Sequence, residues 1–236
     1  QGLYHPENEH DACGVGLVVQ IDGKRSHEII ERGLQVLENM QHRGAESADN
    51  KTGDGAGLML QIPHEFILLQ GIDVPERGLY GTGLVFLPTQ QEEAEACLKI
   101  IREKVEAEGL LLSAVRDVPV NSNILGEISR SNEPQIKQLF ITANSTQQEL
   151  EFKLYVIRKK IEKTVAQSSI AHKKSFYIVS LSTQRMVYKG MLTSEQLRHY
   201  FPDLTDKRLT SSIALVHSRF STNTMPTWDL AQPFRL

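Results

Sequence analysis

Predicted β-strands in this sequence occur in consecutive groups, and the helical segments lie between the groups. Short apolar or alternating runs bounded by turn residues indicate strands at residues 13–21, 58–62, 80–87, 110–118, 138–143, 176–181, 186–189 and 212–217. Apolar residues three and four positions apart indicate helices within residues 26–40, 89–105 and 150–165 and after residue 193. Parallel sheets usually need a helix between each pair of strands. The grouping therefore predicts an α+β fold in which antiparallel sheets are covered by helices.

Polar residues mark where three of these helices begin. Ser26 is a typical N-cap residue. Thr89 with Glu92, and Thr193 with Gln196, have the spacing of a capping box. We therefore expect helices to start directly after these positions.

The first strand segment follows a polar stretch, residues 1–12, which we interpret as an irregular leader. The alternation of the strand puts five side chains on one face: Cys13, Val15, Leu17, Val19 and Ile21. Two small residues, Gly14 and Gly16, leave room beside Cys13.

The length allows one large domain or two small ones, and the absence of repeats, low-complexity tracts and a strong linker favours one domain. The overall composition excludes several classes of protein. The chain has 236 residues, and its net charge of −3 gives no general attraction for nucleic acid. No apolar run approaches the roughly 20 residues of a membrane span, and no signal-peptide pattern is present. Two cysteines do not make a disulfide framework. We predict a cytoplasmic protein that binds neither nucleic acid nor membranes.

The two cysteines differ in their local patterns. Cys97 lies in the apolar stripe of a predicted helix, which favours a buried structural thiol. Cys13 begins a strand, and either a core cysteine, the more common case, or a nucleophile is compatible with that position. Neither has the spacing of a metal ligand set, so we expect no metal site.

A nucleophilic Cys13 has a base within its own residue if the bond between Ala12 and Cys13 is cleaved. A free α-amine has a pKa near ~7.7–8.0 and is a competent base at neutral pH. It could accept the thiol proton and later protonate a leaving amine.

Two arginines and a glycine-rich stretch are further candidates. Arg219 follows a strand, and its planar guanidinium suits a carboxylate ligand. Arg43 follows a helix end, where Gly44 is a possible C-cap. Residues 53–57 lack the Gly-Lys-Ser/Thr of a phosphate loop and precede a strand, which favours a tight turn.

Four motifs occur in one order along the chain. They are Cys13-Gly14-Val15-Gly16, Gln41-His42-Arg43-Gly44-Ala45, Lys51-Thr52-Gly53-Asp54-Gly55-Ala56-Gly57 and His217-Ser218-Arg219-Phe220-Ser221-Thr222-Asn223-Thr224. Together they resemble class II glutamine amidotransferase domains, and among these the domain at the start of glutamate synthase large subunits. The resemblance extends through essentially the whole chain.

This resemblance implies an N-terminal-nucleophile hydrolase fold, a four-layer αββα sandwich of two antiparallel sheets. It implies that Cys13 is the catalytic nucleophile and that Arg43 shapes its surroundings. Arg219, with Ser221 and Thr222, would bind the substrate glutamine. Phe220 stands where other amidotransferases often have a tyrosine, so no hydroxyl role is assigned to it.

The resemblance also divides the chain into two parts. Residues 1–12 resemble a propeptide that is removed between Ala12 and Cys13, and residues 13–236 resemble the amidotransferase domain. The segment that supplies the oxyanion hole in this family would follow Leu236. We therefore expect a C-terminally truncated domain with little glutaminase activity of its own.

The parent enzyme implied by the resemblance hydrolyses L-glutamine and delivers ammonia to 2-oxoglutarate. FMN, an iron–sulfur cluster and a nicotinamide-using small subunit would belong to the remaining domains and partners, and we expect no cofactor in this chain. Two other functions remain open: an N-terminal-cysteine amidase acting on another amide, and a non-catalytic folded fragment with a buried Cys13.

Overall fold

Eight strands and six helices make up the part of the chain that the computed structural model describes, residues 13–45, 49, 51–221 and 225–233. The strands are β1 (Gly14–Val19), β2 (Ala56–Gln61), β3 (Tyr80–Leu87), β4 (Leu111–Asp117), β5 (Gln135–Thr142), β6 (Tyr177–Ile178), β7 (Arg185–Gly190) and β8 (Ile213–Ser218). The helices are α1 (His27–Asn39), α2 (His64–Leu69), α3 (Gln91–Ala107), α4 (Glu127–Ser131), α5 (Gln147–Gln167) and α6 (Gln196–Tyr200).

The strands form two antiparallel sheets of four strands each. The first sheet has the order β1-β8-β2-β7, and the second has the order β4-β5-β3-β6. All pairs are antiparallel, and β3 of the second sheet runs next to β7 of the first. The predicted α+β fold with antiparallel sheets is confirmed.

Strand β1 turns Gly14, Gly16 and Val18 toward the core and turns its other large residues outward. Gly16 faces α1, and a side chain there would collide with Val36. The alternate residues Val15, Leu17 and Val19 lie on the opposite face and are 62%, 59% and 45% exposed. The predicted alternation is therefore correct, and the glycines are the residues that let α1 approach the sheet.

Helices α3 and α5 cover one face of the second sheet. Their buried residues have the predicted helical spacing: Ala94, Cys97, Ile101 and Val105 on α3, and Leu150, Leu154, Ile157, Ile161 and Val165 on α5. They pack against Val85, Leu87, Leu139 and Ile141 of the sheet. Burial of each large aliphatic side chain contributes about 1.5–3 kcal/mol, so this cluster is a main source of stability.

The structure corrects several details of the predicted elements. Thr89 does not cap α3, which follows Gln90 and has no side-chain cap. Thr193 and Gln196 do bond reciprocally before α6, since each side chain accepts from the other's main-chain N–H. The prediction did not include the capping box of Thr146 at the start of α5. It also missed the short helices α2 and α4, which have too few turns to show a periodic pattern.

The strand expected at residues 176–181 is limited to β6 (Tyr177–Ile178). Beyond Ile178 the chain still contacts β3 through separate main-chain bonds, including those from Val179 to Leu84 and from Ser182 to Thr82, before β7 begins in the first sheet. Ser26 precedes α1 as expected, but its side chain makes no capping bond. Across the described residues, none of the helices is long and apolar enough to span a membrane.

Candidate active site

Cys13 lies immediately before β1 and is exposed. Its Sγ accepts a hydrogen bond from the main-chain N–H of Phe220 at 3.4 Å. The same sulfur lies 3.8 Å from the carbonyl oxygen of Phe220. The alternative of a buried core cysteine is therefore wrong for Cys13.

Strand pairing brings Cys13 to the segment that follows β8. Val15 pairs with His217 and Gly14 pairs with Ser218. The next residues along each strand are Cys13 and Arg219. The first and last of the four sequence motifs thus meet at one end of the first sheet, as the site prediction requires.

Arg219 is buried beside the glycine-rich turn. Its main-chain N–H donates to the carbonyl oxygen of Gly55 at 2.8 Å, and its Nη1 donates to the carbonyl oxygen of Asp54 at 3.4 Å. Only 8% of Arg219 is exposed. The guanidinium is thus held at the same end of the first sheet as Cys13.

The turn predicted at residues 53–57 is limited to a bend around Asp54, because Ala56 and Gly57 already belong to β2. This bend supplies a buried carboxylate. Oδ2 of Asp54 accepts a hydrogen bond from the main-chain N–H of Ser221 at 2.6 Å. The N–H of Asp54 donates to the carbonyl oxygen of Ala45 at 3.0 Å. Asp54 was not among the predicted site residues, because a single acid between glycines is also typical of an ordinary turn.

Two titratable groups next to Arg219 have shifted pKa values. Burial raises the pKa of the Asp54 carboxyl, although the Ser221 N–H and the charge of Arg219 partly oppose this effect. Burial, followed by the charge of Arg219, lowers the pKa of His217 from 6.5 to about 4. Within the described structure, Nδ1 of His217 is buried without a hydrogen-bond partner.

The second motif lies against β8. Gln41–Arg43 forms a short 3-10 turn after α1, and Gly44 donates its N–H to Gln41 at 3.0 Å. A side chain at Gly44 would collide with the hydroxyl of Ser218. Helix α1 itself ends at Asn39, so Gly44 ends the 3-10 turn and is not the C-cap of the helix.

Three predicted site positions lie outside the described part of the structure. These are Ala12, Thr222 and the side chain of Arg43. Their roles in cleavage, substrate binding and catalysis therefore stay predictions.

Cys97 has the opposite environment from Cys13. It is fully buried within α3, as predicted, and burial, with a smaller contribution from Glu93, raises the pKa of its thiol to about 11. In the region that the structure covers, no group of three or more His, Cys, Asp or Glu side chains is arranged to hold a metal ion.

The chain is similar in sequence to known proteins along its length. The family model described as class II glutamine amidotransferases matches residues 13–236. The chain is 44% identical over 240 residues to the glutamate synthase (NADPH) large chain of Bacillus subtilis (strain 168), covering 100% of this chain and 16% of that protein.

Two further relatives are glutamate synthases whose names give NADH or ferredoxin in place of NADPH. The chain is 42% identical over 251 residues to the glutamate synthase (NADH) of Saccharomyces cerevisiae, covering 100% of this chain and 11% of that protein. It is 41% identical over 234 residues to the ferredoxin-dependent glutamate synthase 2 of Synechocystis, covering 97% of this chain and 15% of that protein. The chain thus spans 11–16% of the length of these relatives.

Proposed function

Because this chain belongs to the class II glutamine amidotransferases, which have the N-terminal-nucleophile hydrolase fold, we propose that it is the glutamine-hydrolysing part of a longer protein, with Cys13 as the nucleophile, and that on its own it has little glutaminase activity. The observation that carries the proposal is the contact at the end of the first sheet. There, the exposed sulfur of Cys13 meets the main-chain N–H of Phe220, next to Arg219.

The proposed base is the α-amine of Cys13, freed when the bond to Ala12 is cleaved. The amine accepts the thiol proton, and the thiolate attacks the side-chain amide carbon of glutamine. The carbon–nitrogen bond of the resulting tetrahedral adduct breaks, and the nitrogen leaves as ammonia after it takes the proton from the ammonium group. Water then hydrolyses the thioester to glutamate and restores the thiol.

Substrate binding is assigned to the segment after β8. The guanidinium of Arg219 can bind the α-carboxylate of glutamine through two parallel hydrogen bonds. Ser221 and Thr222 follow it and contribute polar contacts to the same ligand. Arg43 shapes the surroundings of the nucleophile from the turn after α1. In this proposal residues 1–12 are a propeptide and residues 13–236 belong to the amidotransferase domain.

The names of the relatives suggest a role in a larger enzyme. We propose that the ammonia is used to make glutamate from 2-oxoglutarate by further domains of a large subunit, with a nicotinamide-using small subunit, in the cytoplasm. Such an enzyme would use FMN and an iron–sulfur cluster. The two cysteines of this chain are fewer than the four thiolates of a typical cluster, so its residues do not fit that group. We assign neither cofactor to residues of this chain.

The test compares glutamine-dependent and ammonia-dependent synthesis of glutamate in the full-length protein. Cys13→Ala should lower glutamine-dependent turnover at least about 10³-fold, because removal of a covalent nucleophile has effects of that size or larger. Ammonia-dependent synthesis should change less than about twofold. Hydrolysis of another amide faster than glutamine would instead favour a different amidase.

A second pair of proteins tests the free-amine mechanism. One begins at Cys13, and the other carries a leader that cannot be cleaved, with its presence verified by mass spectrometry. An amide nitrogen is not a base at neutral pH, so the second protein should hydrolyse glutamine far more slowly. Equal rates would show that the α-amine of Cys13 is not the base.

A further inference from the structure

We propose that Asp54 is a positioning residue for Cys13: its carboxylate holds residues 219–221 so that the N–H of Phe220 points at Sγ. This inference rests on the proposed function in one respect, since it takes Cys13 as the nucleophile. Asp54 does not itself contact the sulfur in this arrangement. It acts through the main chain of the segment that follows β8.

The direction of successive N–H groups explains how one carboxylate can control this contact. In an extended segment, consecutive N–H groups point to opposite sides. The N–H of Arg219 donates to Gly55, and the N–H of Ser221 donates to Oδ2 of Asp54. The N–H of Phe220 lies between them and points the other way, to Sγ of Cys13 at 3.4 Å.

The side chain of Asp54 replaces a strand partner that the main chain does not provide. The pairing of β2 with β8 ends at Ala56 and Ser218. Among the described residues, one further main-chain bond follows it, from the N–H of Arg219 to the carbonyl oxygen of Gly55. Oδ2 of Asp54 accepts a hydrogen bond from the main-chain N–H of Ser221 at 2.6 Å. This bond extends the pairing by one more N–H group.

Asp54 can act as a fixed point because its own turn is held on two sides. Its N–H donates to Ala45 at 3.0 Å. The preceding Gly53 lies so close to the carbonyl group of Leu192 that a side chain there would collide with it. Asp54 is itself buried. The contacts with Ala45 and Leu192 fix the position of Asp54, and the bond from Asp54 fixes the main-chain N–H of Ser221.

The chemical consequence concerns the charge on sulfur. An N–H that points at Sγ stabilises the thiolate that attacks the substrate. When residues 219–221 lose their anchor at Ser221, the Phe220 amide can rotate away from the sulfur. The thiol then ionises less readily, so a smaller fraction of Cys13 is thiolate at neutral pH and the residue reacts more slowly.

Three substitutions separate the geometry of this carboxylate from its charge. Asp54→Asn keeps a side-chain oxygen in the same place and removes the charge. Asp54→Glu keeps the charge and moves the oxygens by one methylene. Asp54→Ala removes both. Each is made in the full-length protein processed to begin at Cys13, and the folded fraction is isolated by size-exclusion chromatography.

The readout is the rate at which iodoacetamide alkylates Cys13, followed by mass spectrometry of the peptide that contains it. Asp54→Ala and Asp54→Glu should slow alkylation about five- to fifty-fold. Loss of one charge-assisted hydrogen bond lowers the thiolate fraction by roughly ten- to 150-fold, and the higher intrinsic nucleophilicity of the less stabilised thiolate offsets part of this. Asp54→Asn should stay within about threefold of wild type. Glutamine hydrolysis should follow the same order among the three variants.

Glu151 provides the matched control. Its carboxylate also accepts a main-chain N–H at 2.6 Å, from Thr183, in a different part of the molecule. Glu151→Ala should leave Cys13 alkylation within about twofold of wild type, even where it lowers stability. This control separates a local effect on Cys13 from a general loss of packing.

Two results would overturn the role of Asp54. Unchanged alkylation in Asp54→Ala and Asp54→Glu would show that the carboxylate does not position Phe220. Loss in Asp54→Asn as large as in Asp54→Ala would show that charge, not geometry, is what matters. Alkylation does not need glutamine, so the expected order in a protein without glutaminase activity would contradict the proposed function and leave this inference intact.

Discussion

The two cysteines of this chain lie near different sheets, and one is exposed while the other is buried. Cys13 is exposed immediately before β1, an edge strand whose residues Val15, Leu17 and Val19 are also exposed. Cys97 is 0% exposed inside α3, under a second sheet whose strand β3 is buried along its whole length. The comparison shows that burial is the property that distinguishes the two thiols. Both sheets contribute buried residues to the core, and one end of the first sheet also presents the reactive group.

The largest test of this contrast is the reactivity of the two thiols. Native Cys13 should react with iodoacetamide at neutral pH at least about 10³ times faster than Cys97, because burial excludes the reagent and raises the pKa of the Cys97 thiol to about 11. Peptide mass spectrometry measures both rates in one sample. In strong denaturant the two rates should become similar. A native difference below tenfold would contradict the contrast.

A core substitution in the second region should reduce stability without changing the site. Ile157 of α5 is fully buried, and Ile157→Ala should lower the free energy of unfolding by about 2–5 kcal/mol. Urea denaturation measures this loss. Under native conditions the rate of Cys13 alkylation should stay within about twofold of wild type. A much slower rate would mean that the second sheet also controls the geometry of the site.

Acid should lower the free energy of unfolding through protonation of His217 in β8 of the first sheet. Its pKa falls from 6.5 to about 4 in the folded protein, so the unfolded chain binds more protons between these pH values. Acidification through this window therefore destabilises the fold. Between pH 7 and pH 5, wild type should lose about 2 kcal/mol of unfolding free energy that His217→Asn does not lose.

Denaturation curves of both proteins at the two pH values measure this difference. Groups that titrate equally in wild type and variant cancel in the comparison. If both proteins lose the same free energy, His217 is not the group responsible.

The smallest effect is expected on the exposed face of β1. Leu17→Ala should change the free energy of unfolding by less than about 0.5 kcal/mol, because Leu17 is 59% exposed in the described structure. Ile157→Ala is the matched large-to-small change in the second region. A loss above about 1.5 kcal/mol would show that this face of β1 is covered in solution.

Much of the fold could be predicted because periodicity is a local property. The apolar stripes of α3 and α5 and the alternation in β1 are visible in short windows of sequence. The exposed side of β1 could not be predicted in the same way. Alternation defines two faces, but which face is buried depends on where α1 packs, and Gly16 decides this by making room for Val36.

The candidate site was predicted in part. Cys13 and Arg219 were identified from the motifs that contain them, and the structure places their chain segments together. Asp54 was missed, because its function depends on a hydrogen bond to Ser221, a residue 167 positions away. The main-chain N–H of Phe220 was also missed. Its partner is the sulfur of Cys13, 207 positions away, and the side chain at position 220 carries no hydroxyl that would draw attention to it.

The sequence by itself determined which residue types are available, where the longer strands and helices form, and which family the motifs resemble. Local periodicity and motif spacing contain that information. Only the tertiary structure decided that Cys13 is exposed, that Cys97 is not, and that residues 219–221 lie against both Cys13 and Asp54. The physical reason is the pairing of β1 with β8 and of β8 with β2, which joins segments more than 150 residues apart. Such a register depends on the packing of the whole sheet and is not visible in any one segment.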